Sequence, residues 1–220
     1  MARSAAVADT TQREVAEAWE AALGAAGLPI ARAAGGAARP RIAFAAPLPN
    51  GVAAEAEPID VLLTVRWPIW QVREAVMSTM PDGWRLVDLM DVWLSAPPLP
   101  GQVVALDYRI TLDLETPVPA STLATACAAF LTADRVERER AKGSGTVRYD
   151  LRPLVSDVTV LEDGPPIVLR TRTRSHPERG IGRPEEVVAA LAASIDRPLE
   201  IVDIVRERVL LSDEPEGRAT

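Results

Sequence analysis

A single cysteine and a single histidine stand among 220 residues. One thiol closes no intramolecular disulfide and cannot supply the three thiolates of a cluster-binding motif, so a disulfide scaffold and a three-cysteine iron–sulfur centre are both excluded. One imidazole leaves no His–His metal site and no acid–base pair of two histidines. Aromatic residues are scarce: five Trp, two Tyr and two Phe. Long apolar runs are missing as well, since none approaches the roughly 18–20 residues of a membrane-spanning helix and Ile59–Val65 has only the length of a strand. Met1–Asp9 lacks the apolar core of a secretory signal, which sets the expectation of a cytoplasmic protein with no membrane partner.

The composition that remains, 48% hydrophobic and 25% charged, is that of a soluble globular chain. A net charge of −7 opposes indiscriminate attraction to nucleic acid, but the charge is unevenly spread. Between Arg135 and Arg183 eleven Lys/Arg face seven Asp/Glu, a local balance of +4, so the rest of the chain carries −11.

Apolar residues at Val15, Ala18, Trp19, Ala22, Leu23 and Ala26 recur with helical spacing. Thr10 or Thr11 fits the N-cap, and Gly27 and Pro29 end the helix. Arg41–Ala46 and Ile59–Val65 read as strands joined through Pro47-Leu48-Pro49-Asn50-Gly51. Pro68 opens a second helix with its apolar stripe at Ile69, Val72, Val76 and Met77, and Pro81-Asp82-Gly83 precedes a strand over Trp84–Leu94. This order is a ferredoxin-like βαββαβ unit with a weak or missing first strand, because Met1–Ala8 is a poor strand former. Three prolines and a glycine over Ser95–Gly101 mark a linker.

Past the linker, Gln102–Leu114 reads as a strand and Ser121–Ala133 as a helix. Arg135–Arg140 with Thr146–Asp150 reads as a hairpin, and Val155–Leu161 with Ile167–Arg174 as another. Pro184–Ile195 reads as a helix and Ile201–Leu211 as a closing strand. The fold expected is therefore α+β, two tandem ferredoxin-like halves: residues 1–95, a linker at 96–101, a second half at 102–212 with an inserted hairpin, and a disordered tail at 213–220.

A stretch of unusual specificity carries Pro40-Arg41-Ile42, Phe44, Pro47-Leu48-Pro49, Gly51-Val52, Glu57 and Ile59-Asp60, following a helix that ends Ala26-Gly27-Leu28-Pro29. This set resembles the bacterial radical-SAM-linked proteins, a domain of unknown function encoded beside or fused to a radical SAM enzyme. Asp150-Leu151-Arg152-Pro153 matches a second recurring element of that family. The resemblance implies a radical SAM enzyme as partner. With one cysteine here, the radical reaction would belong to a different chain. Motif positions Pro40, Arg41, Phe44, Pro47, Pro49, Gly51 and Asp60 are kept. The family's Ser-His-Leu-Asp aligns with Thr11-Gln12-Arg13-Glu14, and its Gly-Phe-Asn-Pro-His-Pro with Gly35–Pro40. Both histidines are replaced, by Gln12 and Arg39, so a two-imidazole site could not form here, and no metal or cofactor is expected.

The strongest functional signal outside the motif is Arg170, Arg172 and Arg174, alternating with Leu169, Thr171 and Thr173 so that three guanidinium groups share one strand face. Arg138, Arg140, Lys142 and Arg148 on the inserted hairpin enlarge the cationic set. Such a surface suits RNA phosphates or another acidic partner. Against this, single-stranded RNA modules interleave aromatics, and all five tryptophans lie in the first half. Glu137 and Glu139 offer internal pairing partners, so a solvated, ion-paired face fits the same pattern.

His176, between Arg174 and Arg179, reads as a loop residue; its alternative role is general base of a metal-independent ribonuclease. Cys127 reads as a small core residue. Gly180-Ile181-Gly182 before a helix suggests an anion-binding loop, opposed by Glu185 and Glu186 in the first turn. Trp67 and Trp70 read as packing residues or as an aromatic patch that docks a partner. The function expected is that of a non-catalytic accessory protein for a radical SAM enzyme, binding or presenting RNA. A metal-independent ribonuclease and a pure protein–protein adaptor are the alternatives.

Overall fold

The computed structural model describes residues 1–33, 39–114, 118–142, 145–162, 164 and 166–212, the side chains of Ala120, Ala141 and Lys142 excepted. Residues 213–220, expected as a disordered tail, lie outside the described residues. The chain divides into two compact units, Met1–Val103 with Leu211–Thr220, and Val104–Leu210. Both mix helices and antiparallel strands, as an α+β fold requires.

In the first unit the order is β1 (Ala2–Arg3), α1 (Gln12–Ala25), β2 (Ile42–Phe44), β3 (Val52–Ala54), β4 (Ile59–Val61), α2 (Ile69–Ser78), β5 (Trp84–Arg85) and α3 (Leu99–Gln102). Thr11 caps α1: its hydroxyl accepts from the Glu14 amide while the Glu14 carboxylate accepts from the Thr11 amide. The core of the unit gathers Val15, Trp19, Leu23, Leu28 and Val76, with Phe44, Ile59, Trp67 and Trp84 packed around them. Trp19 meets Trp84 edge to face, ring centroids 5.4 Å apart.

Three features depart from the sequence reading. The first strand exists and lies between β3 and β5, pairing antiparallel with each, where a missing or edge strand was expected. Its stability comes from a buried side chain that strand propensity ignores. Arg3 is 1% exposed, and its guanidinium donates to the Pro49 carbonyl at 2.9 Å and to the Val52 carbonyl. Across that pairing Gly83, at φ +75°, leaves no room for a Cβ beside Val7. The second departure is an unexpected strand, β3, between β2 and β4 in sequence; β2 and β4 pair with each other, but as a two-stranded ladder separate from the sheet that holds β3. The third is that the strand expected over Trp84–Leu94 stops at Arg85, and Leu99–Gln102, spanning the end of the expected linker and the first residue of the expected strand, forms a short helix.

In the second unit the order is β6 (Val103–Asp113), α4 (Ala120–Thr132), β7 (Glu137–Lys142), β8 (Gly145–Asp150), β9 (Val155–Glu162), β10 (Ile167–His176), β11 (Gly180–Ile181), α5 (Pro184–Ile195) and β12 (Glu200–Leu211). The strands lie in the order β9–β10–β6–β12, with β11 paired to the end of β10 and β7–β8 forming its own ladder. Alternation then sorts the sheet into two faces. Leu106, Tyr108 and Ile110 of β6 and Leu169, Thr171 and Thr173 of β10 are each at most 2% exposed. They form the core with Leu123, Cys127 and Phe130 of α4 and Val187, Val188 and Leu191 of α5.

The Asp150-Leu151-Arg152-Pro153 element is a clasp in this unit. An Asp150 carboxylate oxygen accepts from the amides of Val136 at 2.9 Å and Arg152 at 3.0 Å. Arg152 in turn donates to the Leu131 carbonyl from Nη2 at 2.6 Å and to the Val155 carbonyl from Nη1 at 2.6 Å, tying the end of α4 to the start of β9.

A candidate cationic sheet face

The polar face of β10 carries Arg170, Arg172 and Arg174, as the alternation predicts. Register places Arg170 opposite Arg109 on β6 and Thr159 on β9. Arg172 lies opposite Asp107 and Asp157, and Arg174 opposite Ala105. Directly opposed residues share a face, so the row is a mixed-charge surface. Arg172 is committed inside it: Nε donates to Asp107 Oδ1 at 2.6 Å and Nη2 to Asp107 Oδ2 at 2.9 Å. Arg109 pairs with Glu207 of β12. Arg170 and Arg174 are exposed, and no ion pair or hydrogen bond engages either side chain among the described residues.

The hairpin cations are placed differently. β7–β8 is a separate ladder, so its side chains do not extend the β10 row. Arg138 Nε reaches Glu186 in the first turn of α5 at 2.8 Å. Arg148 Nε holds Glu139 at 2.5 Å, and the Arg140 guanidinium stacks 5.2 Å from the Tyr149 ring centroid. Burial raises the Tyr149 phenol above its ordinary value, with Glu186 adding to the effect and Arg140 opposing it. The Lys142 side chain lies outside the described residues. Of the seven cations singled out in the sequence, four are held internally and two, Arg170 and Arg174, stay available to a ligand. Four residues of extended strand separate that pair by about 13 Å.

His176 closes β10 at its turn into β11. Its Nδ1 accepts from the amides of Glu178 at 3.2 Å and Arg179 at 3.3 Å. An imidazole that accepts at Nδ1 carries its proton on Nε2 when neutral, so Nε2 is a donor and not a base. The glycines beside it also have local reasons. Gly180 turns the hairpin at φ +83°, and a Cβ on Gly182 would collide with the Leu154 carbonyl. The Gly182 amide donates to the Arg174 carbonyl at 3.1 Å, so it is not available to an anion. Glu186, pairing with Arg138, holds the helix start that phosphate would need. Cys127 is 3% exposed, and burial, with Asp157 adding to it, pushes its thiol up to about 11.

The motif residues of the first unit converge on a turn. Gln12, at a lost-histidine position, accepts the Leu48 amide at 3.2 Å through Oε1, and the Gly51 amide donates to the Ala8 carbonyl at 2.9 Å. Thr11 and Glu14, at the Ser and Asp positions of the same motif, form the cap of α1. Phe44 packs on the core, and Asp60 pairs in register with Ala43, burial raising its carboxyl above the ordinary value. Gly51 sits at φ +76°. Pro47 and Arg41 are exposed at the surface of this turn and ladder, Pro40 bridges to Arg32, and Arg39 is exposed; Gly35–Ala38 lie outside the described residues.

Residues 2–184 match the family model described as "Uncharacterized protein conserved in bacteria (DUF2344)". The chain belongs to this family. No curated protein matches it. Among solved structures, a chain of a Cbf5-Nop10-Gar1 complex is similar at 11% identity with a TM-score of 0.54, covering 91% of this chain and 45% of that one. A chain of an H/ACA RNP bound to a substrate RNA containing 2'-deoxyuridine is similar at 13% identity with a TM-score of 0.48, covering 91% and 44%. This DUF2344 member thus spans less than half the length of those chains, and the first likeness is one of fold.

Arg109 and Asp107 are the members of the face that the arginine row alone does not reveal. Their signal is the alternation Leu106-Asp107-Tyr108-Arg109-Ile110, which sets both on the polar side of β6. Among the described residues no group of three or more His, Cys, Asp or Glu side chains could hold a metal ion.

Proposed function

We infer that this chain is a non-catalytic accessory protein that binds RNA phosphates through Arg170 and Arg174, and that it serves a radical SAM enzyme on another chain. The observation that carries the RNA reading is the exposure of these two guanidinium groups without an internal partner, on a sheet whose other face is closed into the core. Arg172 and Arg138, held by the largely buried carboxylates of Asp107 and Glu186, contribute little to a ligand, because breaking either pair leaves a largely buried charge without its partner. Two phosphate contacts make a weak, salt-sensitive site that presents RNA to a partner and does not grip it alone. The partner rests on the family resemblance of Pro40–Asp60. The strand order β9–β10–β6–β12 supports a ferredoxin-like reading of the second half, followed from residue 102 after the linker at 96–101.

His176 anchored at Nδ1 speaks against the ribonuclease alternative, since a base at Nε2 would need the other tautomer and the loss of two hydrogen bonds. Retention of a fluorescent single-stranded RNA at low salt tests the reading: wild type binds, and R170E/R174E does not. Co-purification with the neighbouring radical SAM chain tests the partner, and its failure removes that half of the proposal.

A further inference from the structure

His176 ends the strand face that carries Arg170 and Arg174. β10 runs without interruption from Ile167 to His176, its register with β6 is unbroken through Arg174, and Thr171 and Thr173 between the arginines are buried in the core. Period two therefore carries the arginine face on to residue 176, which pairs with Gly180 of β11. Arg174, exposed and without an internal partner among the described residues, lies two residues back, about 7 Å along the strand.

The turn into β11 fixes which ring nitrogen holds the proton. Nδ1 accepts from the amides of Glu178 at 3.2 Å and Arg179 at 3.3 Å, which leaves the hydrogen of the neutral ring on Nε2. That N–H has no protein partner among the described residues and is not sealed from solvent. Two hydrogen bonds already orient the ring, so a ligand that meets it costs little further ordering entropy. We propose that His176 is a third ligand-binding residue of the β10 face, donating from Nε2 to a phosphate oxygen of the RNA held at Arg174. This rests on the RNA reading of Arg170 and Arg174 and adds a contact of a different kind. The guanidinium groups act through charge and release counterions, whereas a neutral imidazole contributes direction and releases none.

Two measurements on the full chain at about pH 8 test this. H176N keeps an acceptor, Oδ1, where Nδ1 stands, and removes only the Nε2 donor, so its Tm should match wild type. Single-stranded RNA should bind it about tenfold more weakly, the loss of one hydrogen bond to a charged group, with the slope of log K against log salt unchanged. R174A should make that slope shallower. H176N that binds as tightly as wild type overturns the proposal, and so does a loss accompanied by a shallower slope, which marks a charged ring. Because the chain has one histidine, long-range proton–nitrogen NMR reads this ring alone and needs no variant to fold. The free protein should show the Nε2–H tautomer, and RNA should shift Nε2 more than Nδ1. An Nδ1–H tautomer, or a ring unmoved by bound RNA, overturns the proposal as well. If wild type binds no RNA, or R170E/R174E binds it undiminished, the underlying reading fails and takes this one with it. If R170E/R174E loses binding and H176N does not weaken it, only the histidine contact fails.

Discussion

Arg172 and Asp107 form a two-point contact across the β10–β6 register, Nε to Oδ1 at 2.6 Å and Nη2 to Oδ2 at 2.9 Å. The aspartate is 7% exposed. A surface arginine row thereby contains one member that works for the fold. Removing Arg172 would leave a nearly buried carboxylate without its fork, so R172A should cost about 2 kcal/mol, while R170A should fall within about 0.5 kcal/mol of wild type. Urea denaturation separates the two. Equal effects would contradict the division between held and available cations.

The Arg152 clasp makes a second stability prediction. R152A leaves the Leu131 and Val155 carbonyls without their donor and should cost about 2 kcal/mol, a fall of roughly 4–8 °C in Tm for a chain of this size. R152K retains the charge but not the planar fork that spans both carbonyls, so it should recover only part of the loss. Full recovery with lysine would show that charge, not geometry, is what the site uses.

Cys127 gives a pH-dependent prediction. Its thiol is raised from 9.0 to about 11 by burial first and by Asp157 second. The unfolded chain ionises this thiol at lower pH than the folded one. The stabilisation is therefore fully present below pH 9 and is lost as pH rises through about 11. At pH 8 the native thiolate fraction should be about a hundredfold below that of the unfolded protein, and a disulfide reagent should label native Cys127 more slowly by at least that factor. Rapid labelling of native protein would contradict a core position on α4.

The second half was largely legible because its elements are long and regular. Pro184 and the apolar stripe through Leu191 define α5, and strict alternation over Leu169–Arg174 gives both the strand and the face of each arginine. The first half resisted where tertiary contacts override local preference. Strand β1 is held by Arg3 on the carbonyls of Pro49 and Val52, a contact 46 and 49 residues away in sequence that no window around Ala2 can reveal. Trp84–Leu94 has the residues of a strand, but beyond Arg85 it makes no ladder and meets instead Arg73 of α2 through Asp88 and Arg66, just before α2, through Asp91. For the site, residue type and spacing identified the cations, whereas their availability depended on where Glu186, Glu139 and Asp107 came to lie. That information is carried by register and helix placement, not by the arginines themselves.

The salt dependence of RNA binding tests the central claim most directly. Two phosphate contacts on a single strand, at about 0.7 counterions each, predict that log K falls with log salt at a slope near −1.4 for wild type. R170A/R174A should abolish the binding and R138A should leave it unchanged. Binding that is absent at low salt, insensitive to salt, or retained by R170A/R174A would contradict the account.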